Sequence, residues 1–332
     1  MNNLETLNIG ITGGTGVLGN RLIELLLDSN ANITCLVRPT SNTGKLSARI
    51  KKVTGELIDI NTLEEFVKGK DVIVHLAAQV SQTTKSNYYL SNVKGTENLC
   101  KAILKYNVKC RLINCSSIAA YRIKGLCKLQ FTDYAKSKLA ADRIVDSYMR
   151  SIKATTIVPG MIYGPGKNAF IPTVIENLKN NKIFFVKGGE KYAPMSYTED
   201  LCDLFIRAIV NENSVGKKYF GIKSGEKGIH DFIRIIADKI DLEAPDKILS
   251  KRKLMTKAVF LHFFYKIFGI KGPTGLPIRM VDVMSINYQL SEEQQSNNLG
   301  WEPKTDMEEG ITKILESYNL NLYPATSKLV TM

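Results

Sequence analysis

Histidine is scarce in this chain. Only His75, His230 and His262 occur in 332 residues, and none is spaced with another as metal ligands on one element would be. The six cysteines (Cys35, Cys100, Cys110, Cys115, Cys127 and Cys202) form no Cys-x-x-Cys pair and no regular framework. These shortages argue against a zinc site and a disulfide scaffold, and they fit the reduced thiols of a cytoplasmic protein. The N-terminal MNNLETLNIG has no basic stretch followed by an apolar one, so no signal peptide is expected. The most apolar stretch, residues 254–270, is too short and too interrupted for a spanning helix. Internal repeats and low-complexity linkers are absent as well.

Acidic residues are in the minority. Thirty-two Asp and Glu against 45 Lys and Arg leave a formal net charge of +13. A basic total suits nucleic acid, an anionic membrane or an anionic small ligand. The lysines are scattered, with no basic run interleaved with aromatics, so a nucleic-acid partner is not expected. An enzyme acting with phosphorylated ligands is the better match.

What is present is an alternation. Short β-branched runs at Leu7–Thr12, Ile33–Val37, Val53–Leu57, Asp71–Leu76, Arg111–Cys115 and Thr155–Val158 read as strands. Helical stretches at Val17–Asp28, Thr62–Lys68, Tyr88–Tyr106 and Thr132–Ser151 fill the gaps. This is the pattern of an α/β fold, a doubly wound parallel Rossmann sheet covered on both faces. After the sixth strand the rhythm loosens. PGMIYGPG (159–166) reads as a loop, Asp231–Ile240 as a helix, and the chain is expected back at the sheet near Lys217–Ile222. The expected organisation is a nucleotide-binding domain over 1–158, with a returning segment near 197–222. A smaller α/β substrate lobe would take 159–196 and 223–325.

The first strand runs into Thr12-Gly13-Gly14-Thr15-Gly16-Val17-Leu18-Gly19 and then a helix. Glycines are needed where a strand turns sharply into a helix and where backbone must approach a pyrophosphate; a further glycine lets helix and sheet pack closely. The helix N-terminus presents N–H groups and partial positive charge to the phosphates. Arg38, at the tip of the second strand, stands where an acidic residue would accept a ribose 2′-hydroxyl. An arginine there suits a 2′-phosphate, so NADP(H) is favoured, with NAD(H) the alternative. Glu56 and Leu57 sit where a turn would meet the adenine, although Glu56 reads equally as a surface carboxylate. Leu76, Ala77 and Ala78 end a buried strand in small residues over which a cofactor passes. His75 lies within that strand and reads as a core histidine satisfied by backbone.

The fifth strand ends Asn114-Cys115-Ser116-Ser117, and Tyr134 and Lys138 follow four residues apart on one helical face. A tyrosine near its ordinary pKa of about 10 is a poor proton carrier at neutral pH. A neighbouring ammonium favours the phenolate and brings the group toward the working range. A serine at the strand tip supplies the hydrogen bond that fixes a substrate oxygen.

With TGGTGVLG, DVIVHLAA, NVKGT (92–96), INCSS, YAKSK, VPGMIYGPG, YTEDL (197–201) and LGWEPKTDMEEGI (299–311) in order, the chain resembles the extended short-chain dehydrogenase/reductases. That superfamily includes NAD-dependent epimerases/dehydratases, 3β-hydroxysteroid dehydrogenases and dihydroflavonol reductases. The resemblance covers nearly the whole chain. It implies Ser117 rather than Ser116 as active-site serine, Asn92 as a cofactor contact, and Pro159, Gly160, Met161 and Ile162 against the nicotinamide. The implied catalytic set is Ser117, Tyr134 and Lys138. The implied cofactor set is Gly13, Thr15, Gly16, Val17, Leu18, Gly19, Arg38, Glu56, Leu57, Leu76, Ala77, Ala78, Asn92, Cys115, Tyr134, Lys138 and Pro159 to Ile162.

The chain also departs from the family's pattern. The gap from Ser117 to Tyr134 is shorter than in nucleotide-sugar members, and Val158 stands where arginine is common. Pro159-Gly160 replaces an asparagine frequent in epimerases, whereas HLAAQVS (75–81) is a string often met in them. Two activities follow: reduction or oxidation of a carbonyl/secondary alcohol pair, or nucleotide-sugar epimerisation or dehydration with tightly bound NAD+. The basic, aromatic segment 254–270 reads as a packed helix, a pocket lid or a peripheral membrane contact. By resemblance, a homodimer would form through helices Tyr88–Tyr106 and Thr132–Ser151.

Overall fold

The structure, a computed structural model, describes residues 4–80, 84–121, 132–166, 170–223, 225–267, 281–295 and 298–318. Its strands are β1 (Asn8–Thr12), β2 (Asn32–Val37), β3 (Lys51–Thr54), β4 (Val72–His75), β5 (Arg111–Cys115), β6 (Lys153–Pro159), β7 (Met161–Tyr163), β8 (Phe185–Val186), β9 (Met195–Tyr197), β10 (Lys218–Gly221) and β11 (Ile248–Leu249). Its helices include α1 (Val17–Asp28), α2 (Glu64–Val67), α3 (Lys85–Tyr88), α4 (Gly95–Tyr106), α5 (Ile118–Tyr121), α6 (Asp133–Tyr148), α7 (Phe170–Lys179), α8 (Thr198–Val210), α9 (Ile229–Lys239) and α10 (Lys251–Ile267).

Seven parallel strands form one sheet in the order β10-β6-β5-β4-β1-β2-β3. Every residue of β4 is buried, as a strand covered on both faces requires. Leu18, Leu22, Ile23, Leu26 and Leu27 recur at helical spacing on α1 and pack with Leu201 and Phe205 of α8 on one face. Phe66 of α2, Leu99 and Ile103 of α4 and Val145 of α6 close the other face. The order reverses between β1 and β4, and the carboxyl ends on either side of that switch are where ligands settle on such sheets.

A third apolar cluster lies off the sheet. It joins Tyr163 of β7, Phe185 of β8, Phe232, Ile233 and Ile236 of α9, and Ile311 and Ile314 of the helix Met307–Ser317. Leu299 and Trp301, just before that helix, return to the sheet's cluster, and the Trp301 indole N–H donates to Asp200 O at 2.8 Å.

Three expectations shift. The third strand ends at Thr54, because Gly55 turns away and donates from its N–H to Val37 O. The helix expected from Tyr88 starts at Lys85 and passes through a π-helical stretch, Tyr89–Lys94, before α4. Residues 159–166 are not all loop: β6 runs to Pro159, and Met161–Tyr163 pairs in parallel with Met195–Tyr197. The chain returns to the sheet at β10, which pairs in parallel with β6. Among the described residues no helix is long and apolar enough to cross a membrane.

Candidate active site

Gly13 leaves β1 with φ +77°, and a Cβ there would stand 2.6 Å from the backbone nitrogen of Ala77. No other residue type meets both demands cheaply. At Gly19 a side chain would collide with the Gly13 carbonyl, so α1 could not approach the strand. Around Gly16, by contrast, a Cβ would meet only the Gly13 carbonyl, at 3.3 Å. Thr15 and Gly16 are exposed, no side chain caps α1, and its first turn carries no acidic residue. That open, uncapped end fits a pyrophosphate. Leu18 turns its side chain into the core, which leaves its backbone for any ligand. Val17 lies against the space a Cβ on Gly166 would fill, at 3.2 Å, so the loop after β7 covers the start of α1.

The floor of this cleft is a buried polar chain. The Thr12 hydroxyl bonds His75 Nδ1 at 2.8 Å, and His75 Nε2 bonds the Thr96 hydroxyl at 3.0 Å. The Thr96 hydroxyl itself donates to Asn92 O at 2.7 Å, so it accepts from His75. The histidine is thereby the neutral Nε2–H tautomer. Burial, with the Lys138 charge nearby, pushes its pKa down to about 3. His75 is a core residue as expected, but hydroxyls rather than backbone satisfy it. Asn92, 1 % exposed, accepts from Gln79 N at 2.6 Å and donates to Gln79 O at 3.1 Å and Ser137 Oγ at 2.8 Å. Its side chain thus ties the loop after β4 to α6. Leu76, Ala77 and Ala78 lie half-buried along that loop.

Arg38 is exposed at the end of β2. The turn beside it is fixed by Thr62, whose hydroxyl accepts from Glu56 N at 2.9 Å, and Asn98 holds the Leu57 carbonyl at 2.9 Å. Glu56 and Leu57 are both half-buried.

α6 begins where the Thr132 hydroxyl accepts from Ala135 N at 3.2 Å. Its inward face then carries polar groups: Ser137, Lys138 and Asp142 are buried among Ala135, Ala141 and Val145. Lys138, 4 % exposed, donates from Nζ to the carbonyl of Cys115 at 2.7 Å. Tyr134 is half-buried, its ring 6.1 Å from that of Tyr88. The two serines at the end of β5 differ. Ser116 donates to the Asp142 carboxylate, whereas among the described residues the Ser117 hydroxyl, 8 % exposed, accepts only a local bond from Ala119 N at 3.3 Å. Burial pushes the Cys115 thiol up to about 11, so it is no thiolate nucleophile.

Gly160 N donates to Ser196 Oγ at 2.8 Å, and Met161 N donates to Pro194 O at 2.6 Å. Pro159 to Ile162 therefore link the end of β6 to the segment around β9. Sequence reasoning missed Asp142, although it lies four residues beyond Lys138, the spacing that had linked Tyr134 to Lys138. Among the described residues no cluster could hold a metal ion.

A parallel sheet, a glycine-lined helix start at its switch point, and a tyrosine and lysine on one helix define a Rossmann enzyme built for a nicotinamide dinucleotide. The chain belongs to the NAD dependent epimerase/dehydratase family, whose profile matches residues 9–220. It is 23 % identical to 3beta-hydroxysteroid-dehydrogenase/decarboxylase isoform 1 of Arabidopsis thaliana, covering 93 % of this chain and 79 % of that one. It is 22 % identical to 2-alkyl-3-oxoalkanoate reductase of Stenotrophomonas maltophilia, over 94 % of this chain and 99 % of the relative. Its fold matches DesIV, a dTDP-glucose 4,6-dehydratase of Streptomyces venezuelae solved with NAD, at TM-score 0.71 and 20 % identity, over 94 % and 97 % of the two chains.

Proposed function

We propose that this chain is an NADP(H)-dependent oxidoreductase of a carbonyl/secondary alcohol pair. The observation that carries the reading is the Tyr134–Lys138 face of α6, bonded to the end of β5 through the Cys115 carbonyl, two residues before Ser117, whose hydroxyl takes only a local bond among the described residues. When bound, the dinucleotide supplies or takes the hydride. Tyr134 holds the proton at its phenolic oxygen and passes it to the substrate oxygen, Ser117 donates a hydrogen bond to that oxygen, and the Lys138 ammonium favours the phenolate left behind. The glycine turn and the α1 N-terminus hold the pyrophosphate. Arg38, exposed at the β2 tip, meets a 2′-phosphate.

The neighbourhood of Ser117 supports an apolar substrate. Ile118, Val158, Ile222 and Leu290 form a buried apolar cluster, edged by Tyr121, Phe220 and Tyr288. Two relatives named as a steroid dehydrogenase and an oxoalkanoate reductase agree with this. The test is a panel of 3-oxoalkanoates, 3-ketosteroids and nucleotide sugars, read by NADPH absorbance and mass spectrometry. Stoichiometric NADPH loss with an apolar ketone is expected. Conversion of a nucleotide sugar without net NADPH loss would replace this reading by an epimerase or dehydratase.

The outer side of α10 supports a peripheral membrane contact. Arg252, Lys253 and Lys257 are exposed alongside Phe260 and Phe264, while Leu254, Met255 and Ala258 face the lobe. Co-sedimentation with phosphatidylserine vesicles, lost in Phe260→Ser, is the expected result. Exposed Tyr89, Leu90 and Leu104 along α4 and the turn before it support a homodimer, which sedimentation velocity measures.

A further inference from the structure

Asp142 lies on the buried face of α6, one turn beyond Lys138, and is 2 % exposed. Three side chains from the neighbouring segment converge on its carboxylate. Asn114 of β5 donates from Nδ2 to one oxygen at 3.2 Å. Ser116 and Tyr121, the latter at 3.0 Å, donate their hydroxyls to the other. A carboxylate this deeply buried persists only when such donors compensate its desolvation. Burial raises its pKa, while Lys138, Ser116 and Tyr121 act the other way. The charged groups around it are Lys138 on its own helix and Lys218 of β10, which is paired with Asp146 at 2.8 Å.

The bonded residues bracket the reacting ones. Ser116 sits between Cys115, whose carbonyl holds Lys138, and Ser117, and Tyr121 closes the short helix that follows Ser117. We propose that Asp142 is a positioning residue: it clamps the end of β5 to α6, so that the Cys115 carbonyl holds the Lys138 ammonium in place beside Tyr134. The clamp involves no contact with substrate or dinucleotide. It deepens the oxidoreductase reading and rests on Tyr134 as proton carrier.

The test needs no substrate. The phenol of Tyr134 is titrated by near-ultraviolet absorbance in the full chain without added dinucleotide, as the difference from Tyr134→Phe. Deleting a negative charge alone moves a tyrosine titration down; displacing a nearby ammonium moves it up. Asp142→Ala is therefore expected to raise the titration, by about one pH unit. Asp142→Asn keeps an oxygen for Ser116 and Tyr121 and is expected not to raise it. Should Asp142→Ala fail to fold, Ser116→Ala removes one donor and is expected to raise the titration by a smaller amount. No rise in a folded Asp142→Ala, an equal rise in Asp142→Asn, or an unmoved Ser116→Ala would overturn the clamp. Lys138→Met separates the two readings: if it too leaves the titration unmoved, the Tyr134–Lys138 pairing itself fails. If it raises the titration while Asp142→Ala does not, only the clamp fails.

Discussion

The strand ends of the sheet and the second lobe are held by different forces. At the strand ends, buried polar chains fix individual side chains: Thr12–His75–Thr96, Gln79–Asn92–Ser137, and Asn114, Ser116 and Tyr121 on Asp142. Off the sheet, Tyr163, Phe185, Phe232, Ile233 and Ile236 pack by shape. Among the described residues buried polar atoms lack a hydrogen-bond partner in both regions: Asn114 Oδ1 and Thr156 Oγ1 in the sheet, the Tyr197 hydroxyl and His230 Nδ1 off it. Directional bonds hold a group to a fraction of an ångström, which proton and hydride chemistry demands. Apolar packing tolerates volume-conserving change, so the lobe can be re-cut for a new substrate while the strand ends stay fixed.

The largest way to break that contrast is at Tyr134, the proposed proton carrier. Tyr134→Phe is expected to cut turnover of the panel's ketone about a thousandfold while the dinucleotide dissociation constant stays within about threefold. A comparable loss of dinucleotide binding would show that the tyrosine is structural.

Next comes the turn. Gly13→Ala forces a side chain into φ +77° and against Ala77, and is expected to cost about 2 kcal/mol in urea denaturation, with dinucleotide affinity falling too. Gly16→Ala, at negative φ and meeting only the Gly13 carbonyl at 3.3 Å, is expected to cost well under half as much, and an equal loss at both positions would refute the turn's geometry.

His75 sharpens the contrast through pH. Its folded pKa of about 3 lies below the ordinary histidine value of 6.5, so the unfolded chain takes up a proton that the folded chain refuses. Its contribution is complete above pH 6.5 and is lost as pH falls toward 3, at about 1.4 kcal/mol per pH unit below the unfolded pKa. In His75→Asn that acid slope is expected to flatten by this amount in denaturant titrations from pH 7 to pH 5. An unchanged slope would assign the acid loss to other groups.

Smaller effects follow at the edges. Arg38→Ala is expected to weaken NADPH binding about tenfold and leave NADH binding unchanged, as read by fluorescence titration. Phe260→Ser, on the outer side of α10, is expected to move neither affinity by more than about twofold, and a larger change would couple the two regions that the bonding pattern separates.

Much of this was legible in the residues. β1, β2, β4, β5 and β6 are apolar runs buried on both faces, and such runs announce themselves. β3 was displaced because it is an edge strand in which only Val53 is buried, so its pattern was set by the Gly55 turn and by Thr62, which bonds Glu56 from six residues on. β7 hid inside PGMIYGPG because its partner, Met195–Tyr197, lies more than thirty residues away, beyond the reach of local propensity. The glycine turn, Tyr134 and Lys138 could be read from spacing. Asp142 obeyed the same spacing, yet an aspartate on a helix ordinarily faces solvent, and its burial depends on donors brought by another strand. Likewise Asn92 was legible as important, but not as the tie between the β4 loop and α6.

The proposed reductase site works through Tyr134 and binds NADP(H) reversibly. The direct measurement is to titrate the purified protein with NADPH and NADH and then unfold it and quantify the dinucleotide released. Little dinucleotide is expected in the untreated protein, with reversible saturation by NADPH and NADPH binding about tenfold tighter than NADH. An equimolar NAD+ released only on unfolding, and not displaced by NADPH, would contradict it.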